Sequence, residues 1–532
     1  MLIRVRIALH SLTSQSILHK RGRSIMAIKF DVAKGHRDWY GVNTLLRDEV
    51  RDTLRSVFER YGFVRIETPI IEDRAALGFK GGGEIQAEAY KLSDQGEREL
   101  ALRFDQTVPL ARFLATHREI KLPFKRYVIG EVFRDGPTQP EQGRFRSFTQ
   151  CDADTVGVKE MSAEAEFMAL AKDAFQDLGL GDVEFQVNNR KLLDGILDFA
   201  GVPEHARPRT VSTLDKMDKV QAAGVKSQLL DLRLADEPMQ ISNDTFDALR
   251  DNYDAGPQQA VESLRDQIIA EVTEKGYDEI HTIVTEAASK GAMIGEIDGY
   301  RCEGDLLLTP DIVDRVILAT ETLGDNNTTF HAIASNVSSD IGREGLDEVW
   351  QLLKYADAMG FDFVKLNPAL ARGLDYYTGT TIEVYLQDRS IVDSAILAGG
   401  RFDDMVGDFR GAGEDMPAVG FSFGLERLVM VLKEQRDVPQ SRTQLYLIPL
   451  GETTDACLRV AHDIRQSGVN ADMDLRGRKL GKAIQHAESL GIPYVGIVGD
   501  DEIGNNTVSV KNLDSGDQES VPVADVAGYL NI

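Results

Sequence analysis

Residues 126–154 read RYVIGEVFRDGPTQPEQGRFRSFTQCDAD, and this stretch decides the fold. One predicted strand ends at Val132-Phe133-Arg134 and a second covers 144–154, with a loop over 135–143 that holds two prolines and two glycines. Two strands joined directly by a loop pair as antiparallel neighbours, so the sequence predicts a hairpin. Because the loop is longer than a tight hairpin needs, we expect it to carry function.

The second strand has two unlike faces, because successive side chains of a strand point to opposite sides. The even positions are Arg144, Arg146, Phe148, Gln150, Asp152 and Asp154, and the odd positions are Phe145, Ser147, Thr149, Cys151 and Ala153. One face is almost entirely charged or amide-bearing, and the other is small and largely apolar. A binding site and a solvated sheet face both fit this pattern.

The surrounding elements indicate an α+β domain. A helix from Leu46 ends at Tyr61-Gly62, and 64–70 alternates as a strand with Pro69 near its end. Further strands are expected at 100–106, 380–387, 394–399 and 417–423. Most are joined by loops rather than by crossover helices, which predicts an antiparallel sheet with helices against it.

The chain divides into five predicted segments: 1–25, a basic N-terminal extension; 26–204, the first part of a core; 205–360, a helical insertion; 361–435, the second part of the core; and 443–532, a small α/β domain. The extension has no acidic residue and fits an organellar presequence, a mis-set start codon with the true start at Met26, or a disordered tail. We leave it out of the fold.

Composition limits the functional classes. The chain has 532 residues, an apolar fraction of 42% and a formal net charge of -26, which argues against non-specific coating of nucleic acid but permits a local basic patch. Cys151, Cys302 and Cys457 form no metal-binding spacing and suggest a reducing compartment, so we expect a cytoplasmic protein. We expect no membrane association, since no segment is apolar enough to span a bilayer.

The sequence lacks a P-loop and a dinucleotide-binding glycine motif. Any bound phosphate must therefore be held by arginines. Arg427 falls in the first turn of a helix that follows Gly424, where the helix dipole disfavours a cation. A bound anion would balance the charge of Arg427 at this position. The alternative is a salt bridge to Glu426 or to a distant acid.

Five segments together resemble class II aminoacyl-tRNA synthetases, and specifically the histidyl-tRNA synthetase family. They are Ile66-Glu67-Thr68-Pro69 (first motif), Phe133-Arg134 with 143–148 (second motif), Ala371–Tyr377, Gly399–Asp403, and Gly424-Leu425-Glu426-Arg427 (third motif). The resemblance implies a class II antiparallel catalytic domain with a helical insertion, followed by a C-terminal α/β anticodon-binding domain.

The resemblance also implies roles for the arginines. Arg134 would contact the α-phosphate of ATP, Arg427 the γ-phosphate, and Arg144 would lie beside ATP and histidine. Arg372 would be the histidine-specific catalytic cation, acting with Arg134 on the α-phosphate. Preplaced cations suit a transition state in which charge gathers on phosphate oxygens.

Histidine would be bound by a polar set. Asp105 and Thr107 match residues that hold the ammonium group, and Asp154, Tyr376 and Tyr377 match those that read the imidazole ring. Gln150, Arg144 and Arg372 complete the predicted histidine site. Ordinary core packing is the alternative for the two tyrosines.

The implied reaction consumes L-histidine and ATP with Mg²⁺ as substrates, charges tRNA(His), and uses no tightly bound cofactor or resident metal. The family is homodimeric through its first motif. A basic cluster, Arg476, Arg478, Lys479 and Lys482, is a weak candidate for tRNA contact, and a solvated helix face is its alternative.

Two positions depart from the family pattern. Many class II enzymes have an acid two residues after the second-motif arginine to meet the adenine amino group, but Gly136 stands here beside Asp135. The loop 138–142 is acidic where many relatives are basic. The rival reading is a non-catalytic relative, the regulatory subunit of ATP phosphoribosyltransferase, which typically lacks the anticodon-binding domain. A class II enzyme specific for another amino acid, such as proline or threonine, is the other alternative. It requires that the resemblance of segment 372–377 to the histidine-specific motif be coincidental.

Overall fold

The computed structural model describes residues 30–80, 87–232, 308–321, 324–371, 376–411 and 416–530. The described strands are β1 (Val64–Arg65), β2 (Ile71–Asp73), β3 (Lys91–Ser93), β4 (Glu99–Leu102), β5 (Phe124–Phe133), β6 (Ser147–Val156), β7 (Val183–Asn189), β8 (Val364–Leu366), β9 (Thr380–Leu386), β10 (Leu397–Arg401), β11 (Ala418–Gly424), β12 (Leu445–Pro449), β13 (Ala471–Met473), β14 (Tyr494–Val498), β15 (Thr507–Asn512) and β16 (Gln518–Pro522).

The described α-helices are α1 (Val42–Arg60), α2 (Arg74–Lys80), α3 (Thr107–Thr116), α4 (Ser162–Asp177), α5 (Arg190–Ala200), α6 (Arg207–Leu214), α7 (Met217–Leu230), α8 (Pro310–Ala319), α9 (Asn326–Ala334), α10 (Asp340–Ala358), α11 (Asp403–Arg410), α12 (Leu425–Gln435), α13 (Thr454–Gln466), α14 (Leu480–Ser489), α15 (Asp500–Asn505) and α16 (Val526–Tyr529).

The main sheet has eight strands in the spatial order β1-β5-β6-β11-β10-β9-β7-β8. Its five central ladders are antiparallel, and the outermost pairs, β1 with β5 and β7 with β8, are parallel. The predicted antiparallel sheet with helices packed against it is confirmed.

The predicted hairpin is the pair β5–β6, whose register runs from Phe124 opposite Val156 to Phe133 opposite Ser147. Its second strand starts at Ser147 rather than at residue 144. Arg144 instead forms a bridge with Gln139 inside the connecting loop, so the ladder is interrupted before the strand begins.

Three further predicted strands were wrong in extent. The strand predicted over 394–399 runs instead over Leu397–Arg401. Of the stretch 64–70, only Val64–Arg65 is a strand, and β2 begins after it at Ile71, because Pro69 cannot donate to a ladder and the carbonyl of Thr68 accepts from Arg103 Nη1 at 3.1 Å. The strand predicted over 100–106 ends at Leu102. Beyond it, the Asp105 carboxylate accepts from the backbone N–H of Val108 at 3.1 Å, at the start of α3.

The two faces of the main sheet bury different clusters. The odd positions Cys151 and Ala153 of β6 lie in the larger core with apolar residues from α1, α4, α10 and α12. Against the other face, the small sheet β2-β4-β3 packs with α3 and α11. The space between this second layer and the central strands holds the candidate site.

The segment expected to be an insertion is partly described. Helices α6, α7 and α8 share a cluster with α5, whereas α10 packs in the core of the main sheet. The boundary predicted at residue 360 thus separates α10 from strands with which it shares a core. Residues 233–307 and the N-terminal extension lie outside the described residues.

The C-terminal unit is a five-stranded sheet in the order β13-β12-β14-β15-β16. Its first three strands are parallel and its last two pair antiparallel. Cys457 and Ile464 of α13 pack on one side, and Ala483 and Ala487 of α14 on the other. The predicted small α/β domain is confirmed.

Candidate active site

A cavity of about 390 Å³ lies over the central strands of the main sheet. The even positions of β6 point into it, namely Phe148, Gln150, Asp152 and Asp154, while Cys151 is in the core behind the sheet. The alternation in the sequence therefore distinguishes the cavity face from the core face. The face is not a solvated one, since Asp152 and Asp154 are buried.

The cavity brings together nearly all the residues singled out for ATP and histidine. Asp105, Thr107, Arg134, Arg144, Gln150, Asp154, Tyr376, Tyr377 and Arg427 all line it. They come from both parts of the core, more than 220 residues apart in sequence. Arg372 lies outside the described residues, so its place in the site stays a prediction.

One end of the cavity holds the two arginines of the second and third motifs. Arg134 follows β5 directly, its Nε donates to the carbonyl of Phe104 at 3.3 Å, and its guanidinium carbon lies 4.2 Å from the centre of that ring. Arg427 occupies the first turn of α12 and donates to the carbonyl of Ala395. Backbone carbonyls thus orient both side chains while leaving the cations inside the cavity.

The carboxylate beside Arg427 is engaged elsewhere. Glu426 pairs with Arg47 at 2.5 Å and accepts from the backbone N–H of Thr149 at 3.1 Å. Burial raises the pKa of Glu426, and Arg47 opposes this effect. This pair joins α1, β6 and α12 and fixes the end of the helix that presents Arg427.

Three buried carboxyl groups, those of Asp105, Asp152 and Asp154, also line the cavity and form its acidic end. Arg126, which is completely buried, pairs with Asp154 at 2.7 Å. The hydroxyl of Tyr376 donates to Asp105 at 3.4 Å. This acidic end has the hydrogen-bond acceptors that a ligand with an ammonium group and ring N–H groups requires.

Burial has the largest effect on the pKa values of these three carboxyl groups. Burial raises the pKa of Asp152 to about 7 and that of Asp154 to about 6, with the Arg126 cation opposing both shifts. Burial also raises the pKa of Asp105. With a pKa of about 7, Asp152 is partly protonated near neutral pH, and a protonated carboxyl group can donate a hydrogen bond as well as accept one.

Sequence reasoning missed several residues of the cavity. Gly420 lies opposite Asp154 across the β6–β11 ladder, and a Cβ on it would fall 2.1 Å from Asp154 Oδ1. The sequence signal for Gly420 was its position inside a predicted strand, where a glycine often indicates that another group approaches the backbone closely. Asp152 was on the correct strand face but was not selected. Glu88 also lines the cavity, and no periodic pattern pointed to it.

The Arg401 side chain of the Gly399–Asp403 segment does not line the cavity. It is buried and forms a two-pronged pair with Glu164, with distances of 2.7 and 2.8 Å. Its Nη1 also donates to the carbonyl of Val158 at 3.0 Å. This arginine holds α4 against the sheet behind the site.

The basic cluster lies at the start of α14. Arg476, Lys479 and Lys482 are exposed, whereas Arg478 pairs with Asp474 and donates to the hydroxyl of Tyr446 at 3.3 Å. Arg478 thus stabilises the loop that presents the other three cations.

Within the residues that the structure describes, no helix combines the length and apolarity needed to cross a bilayer. Among the same residues, His, Cys, Asp and Glu side chains form no group of three that could hold a metal ion.

Comparisons with known proteins agree with the geometry. The model of the histidyl-tRNA synthetase family matches residues 35–241 and 258–428, and that of the anticodon binding domain matches 444–531. Histidine–tRNA ligase 1 of Bacillus cereus is 35% identical over 502 residues, which cover 93% of this chain and 98% of the relative.

Solved structures show the same architecture. The histidyl-tRNA synthetase of Nostoc superposes with a TM-score of 0.68 at 27% identity, covering 95% of this chain and 99% of that one. A Bacillus halodurans protein described as ATP phosphoribosyltransferase regulatory subunit/histidyl-tRNA synthetase gives 0.61 at 18% identity, covering 90% and 99%. That second likeness concerns the fold alone. The chain belongs to the histidyl-tRNA synthetase family, the ligases that join histidine to its transfer RNA, and it has an anticodon-binding domain at its C-terminal end.

Proposed function

We propose that the cavity performs both steps of histidine transfer. In the first, a carboxylate oxygen of L-histidine attacks the α-phosphorus of ATP, the bond to the β-phosphate breaks, and pyrophosphate leaves. In the second, a hydroxyl of the 3′-terminal ribose of tRNA(His) attacks the carbonyl carbon of the adenylate, and AMP leaves. Magnesium enters with ATP as part of the substrate.

The observation that carries this proposal is the distribution of charge in this cavity. Arg427 follows Gly424, which pairs with Gln150, whereas Gly420 pairs with Asp154, so the arginine and this carboxyl group lie toward opposite ends of the β6–β11 ladder. Asp105 lies next to Phe104, whose carbonyl accepts from Arg134, and it therefore lies between the two groups. The cationic end suits phosphates, whose charge grows in the transition state. The acidic end suits the ammonium group and the imidazole N–H of histidine.

Each residue then has a role. Arg134, Arg144 and Arg427 bind ATP, and Arg134 with Arg372 stabilises the α-phosphate during attack. Asp105 and Thr107 hold the ammonium group, and Asp154, Tyr376 and Tyr377 read the ring. Gln150, with Arg144 and Arg372, holds the substrate carboxylate in line for attack. An apolar amino acid in the site would leave the buried carboxyl groups of the acidic end without hydrogen-bond donors. The free energy lost in this way discriminates strongly against such a substrate.

The tRNA would contact the C-terminal domain through the cluster Arg476, Arg478, Lys479 and Lys482. Three of these four side chains are exposed on an otherwise acidic protein. The loss of bound counterions from phosphate makes such contacts sensitive to salt.

We also infer a homodimer located in the cytoplasm. The outer strand β1 has an exposed Val64, and Ile70 and Ile71 beside it are 45% and 50% exposed. Exposed apolar side chains near a strand at the sheet edge favour pairing with a second copy. Among the described cysteines, Cys151 and Cys457 are buried and free, which fits a reducing compartment.

Charging of tRNA(His) with labelled histidine tests the proposal. The wild-type chain should form histidyl-tRNA with ATP, and Arg134→Ala should reduce both charging and histidine-dependent pyrophosphate exchange by at least about 1,000-fold, since cations on the transferred phosphate contribute on this scale. Sedimentation of the same sample tests the dimer. Full charging by the Arg134→Ala variant would remove the proposed role of this residue.

A further inference from the structure

We propose that Glu88 recognises the exocyclic amino group of adenine, and that it replaces the acid that this chain lacks at position 136. The inference rests on the proposed use of ATP. It assigns a specificity-determining role to a residue that neither the motifs nor the family matches single out.

The Glu88 carboxyl group fills the space of the missing side chain. A Cβ built on Gly136 would lie 2.4 Å from Glu88 Oε2, 2.6 Å from its carboxyl carbon and 2.7 Å from Oε1. The two positions therefore compete for one volume. A side chain at residue 136 and the present position of Glu88 exclude each other.

The backbone fixes this arrangement. The N–H of Asp135 donates to the carbonyl of Glu88 at 2.7 Å, which ties residue 88 to the chain just after Arg134. Residue 88 therefore keeps a constant position relative to the arginine that is proposed to bind the α-phosphate.

Asp135, the acid next to Gly136, already forms a salt bridge. Asp135 pairs with Arg146 at 2.7 Å, and Arg146 Nε also donates to the carbonyl of Gly136 at 3.2 Å. A nucleobase at this end of the cavity would thus meet Glu88 rather than Asp135 as its free acceptor.

Glu88 Oε2 is a buried acceptor without a hydrogen-bond partner among the residues that the structure describes. Leaving such a group without a hydrogen bond is unfavourable, so a ligand donor would stabilise it. Glu88 lines the same cavity as Arg134 and Phe148. The phosphates of ATP offer no hydrogen-bond donor and repel a carboxylate. The partner of Glu88 must therefore lie in the nucleoside part of ATP. Adenine presents its donor at the 6-amino group, whereas a 6-oxo purine presents an acceptor there.

Pyrophosphate exchange with a set of nucleotides tests this assignment. ATP, purine riboside triphosphate, which lacks the 6-amino group, and inosine triphosphate, which has a 6-oxo group, are compared at saturating histidine. We expect the wild type to prefer ATP over purine riboside triphosphate by about 10- to 100-fold in kcat/KM, as a hydrogen bond to a charged group allows. Glu88→Ala should reduce this ratio to about 1 and leave the KM for histidine within about twofold.

Two further variants separate recognition from a structural role. Glu88→Gln offers an amide N–H, so it should raise the use of inosine triphosphate relative to ATP by about 10-fold. Adding Gly136→Glu to Glu88→Ala should restore the preference for ATP, because the new side chain enters the vacated volume.

Two outcomes would overturn the inference. The first is an unchanged ratio of ATP to purine riboside triphosphate in Glu88→Ala, whether or not both nucleotides lose activity equally. The second, seen when 2′-deoxy-ATP is added to the set, is a loss of discrimination against that nucleotide instead, which would place the carboxylate at the ribose. An absence of exchange in the wild type would defeat the proposed function itself, so the two failures are distinguishable.

Discussion

Gly420 faces Asp154 across the β6–β11 ladder, and residue 420 has no room for a side chain because a Cβ there would lie 2.1 Å from Asp154 Oδ1. The glycine therefore determines where the carboxyl group proposed to read the imidazole ring can lie. Strand β11 thus shapes the acidic end of the cavity, while α12, the helix after it, presents Arg427 to the cavity.

Gly420→Ala should displace Asp154 and lower kcat/KM for histidine by about 100-fold, the loss expected for a misplacement near 1 Å. The KM for ATP should change little, since Arg427 is held by α12. Pyrophosphate exchange with varied histidine and varied ATP measures both constants.

Gly181→Ala is the matched control, because nothing lies within 4 Å of a Cβ at that position. If Gly420→Ala raised the KM for ATP as much as that for histidine, the division of the cavity into two ends would be wrong.

Glu164→Gln should destabilise the catalytic core by about 3–5 kcal/mol, because it leaves the cation of Arg401 buried without a full partner. Both side chains are at most 1% exposed. Urea unfolding followed by fluorescence measures the change in midpoint.

Asp52→Asn serves as the comparison, since Asp52 pairs with Arg55 at the surface and is 64% exposed. Its effect should stay below about 1 kcal/mol. Equal effects of the two substitutions would show that the buried pair has no special structural role.

Asp152→Asn should stabilise the ligand-free protein more at pH 8 than at pH 5. Burial raises the pKa of Asp152 from 3.8 to about 7, so between these values the folded chain holds a proton that the unfolded chain has released. Stability from this group is complete below about pH 4 and is lost as the pH rises to about 7. Asparagine does not titrate, so its advantage grows across that range.

Thermal unfolding at the two pH values measures this advantage, which should grow by several degrees. Asp514→Asn, at an exposed position, is the control. A difference in melting temperature that is the same at pH 5 and pH 8 would mean that Asp152 is ionised throughout.

Arg476→Ala combined with Lys482→Ala should weaken tRNA binding and reduce the dependence of log K on log salt by about 1 to 2, as expected for the loss of two phosphate contacts. Exchange without tRNA should be unaffected. Binding titrations at several salt concentrations measure the slope.

Arg459→Ala removes an exposed cation of α13 that pairs with Asp455, and it should leave the slope unchanged. A similar loss of tRNA affinity in this control would indicate that general charge, rather than the cluster near α14, attracts the tRNA.

The sequence was most informative where periodicity and motif coincide. The alternation over 144–154 separated the cavity-facing Gln150 and Asp154 from the core-facing Cys151 and Ala153, because a period of two leaves little ambiguity once one face is apolar. The helix ending at Tyr61 followed from apolar residues at helical spacing, which lie buried on one side of α1. The ends of strands were less predictable, since hydrogen bonds from distant side chains such as Arg103 decide them.

Contacts between distant segments were beyond sequence reasoning. Glu88 reaches the cavity only because its segment packs beside Gly136, and nothing in its local sequence records this. Arg401 shows the converse, a motif residue whose side chain holds the scaffold through Glu164 rather than lining the cavity. Arg126 was likewise invisible as the buried partner of Asp154.

The most direct test is ATP–pyrophosphate exchange measured with each of the twenty amino acids, in the wild type and in Arg372→Ala. We predict exchange with histidine alone, and a loss of at least about 100-fold in the variant, whose missing cation would otherwise stabilise the attacked phosphate. A folded protein that binds histidine but shows no exchange with any amino acid would contradict the account and favour a regulatory, non-catalytic role.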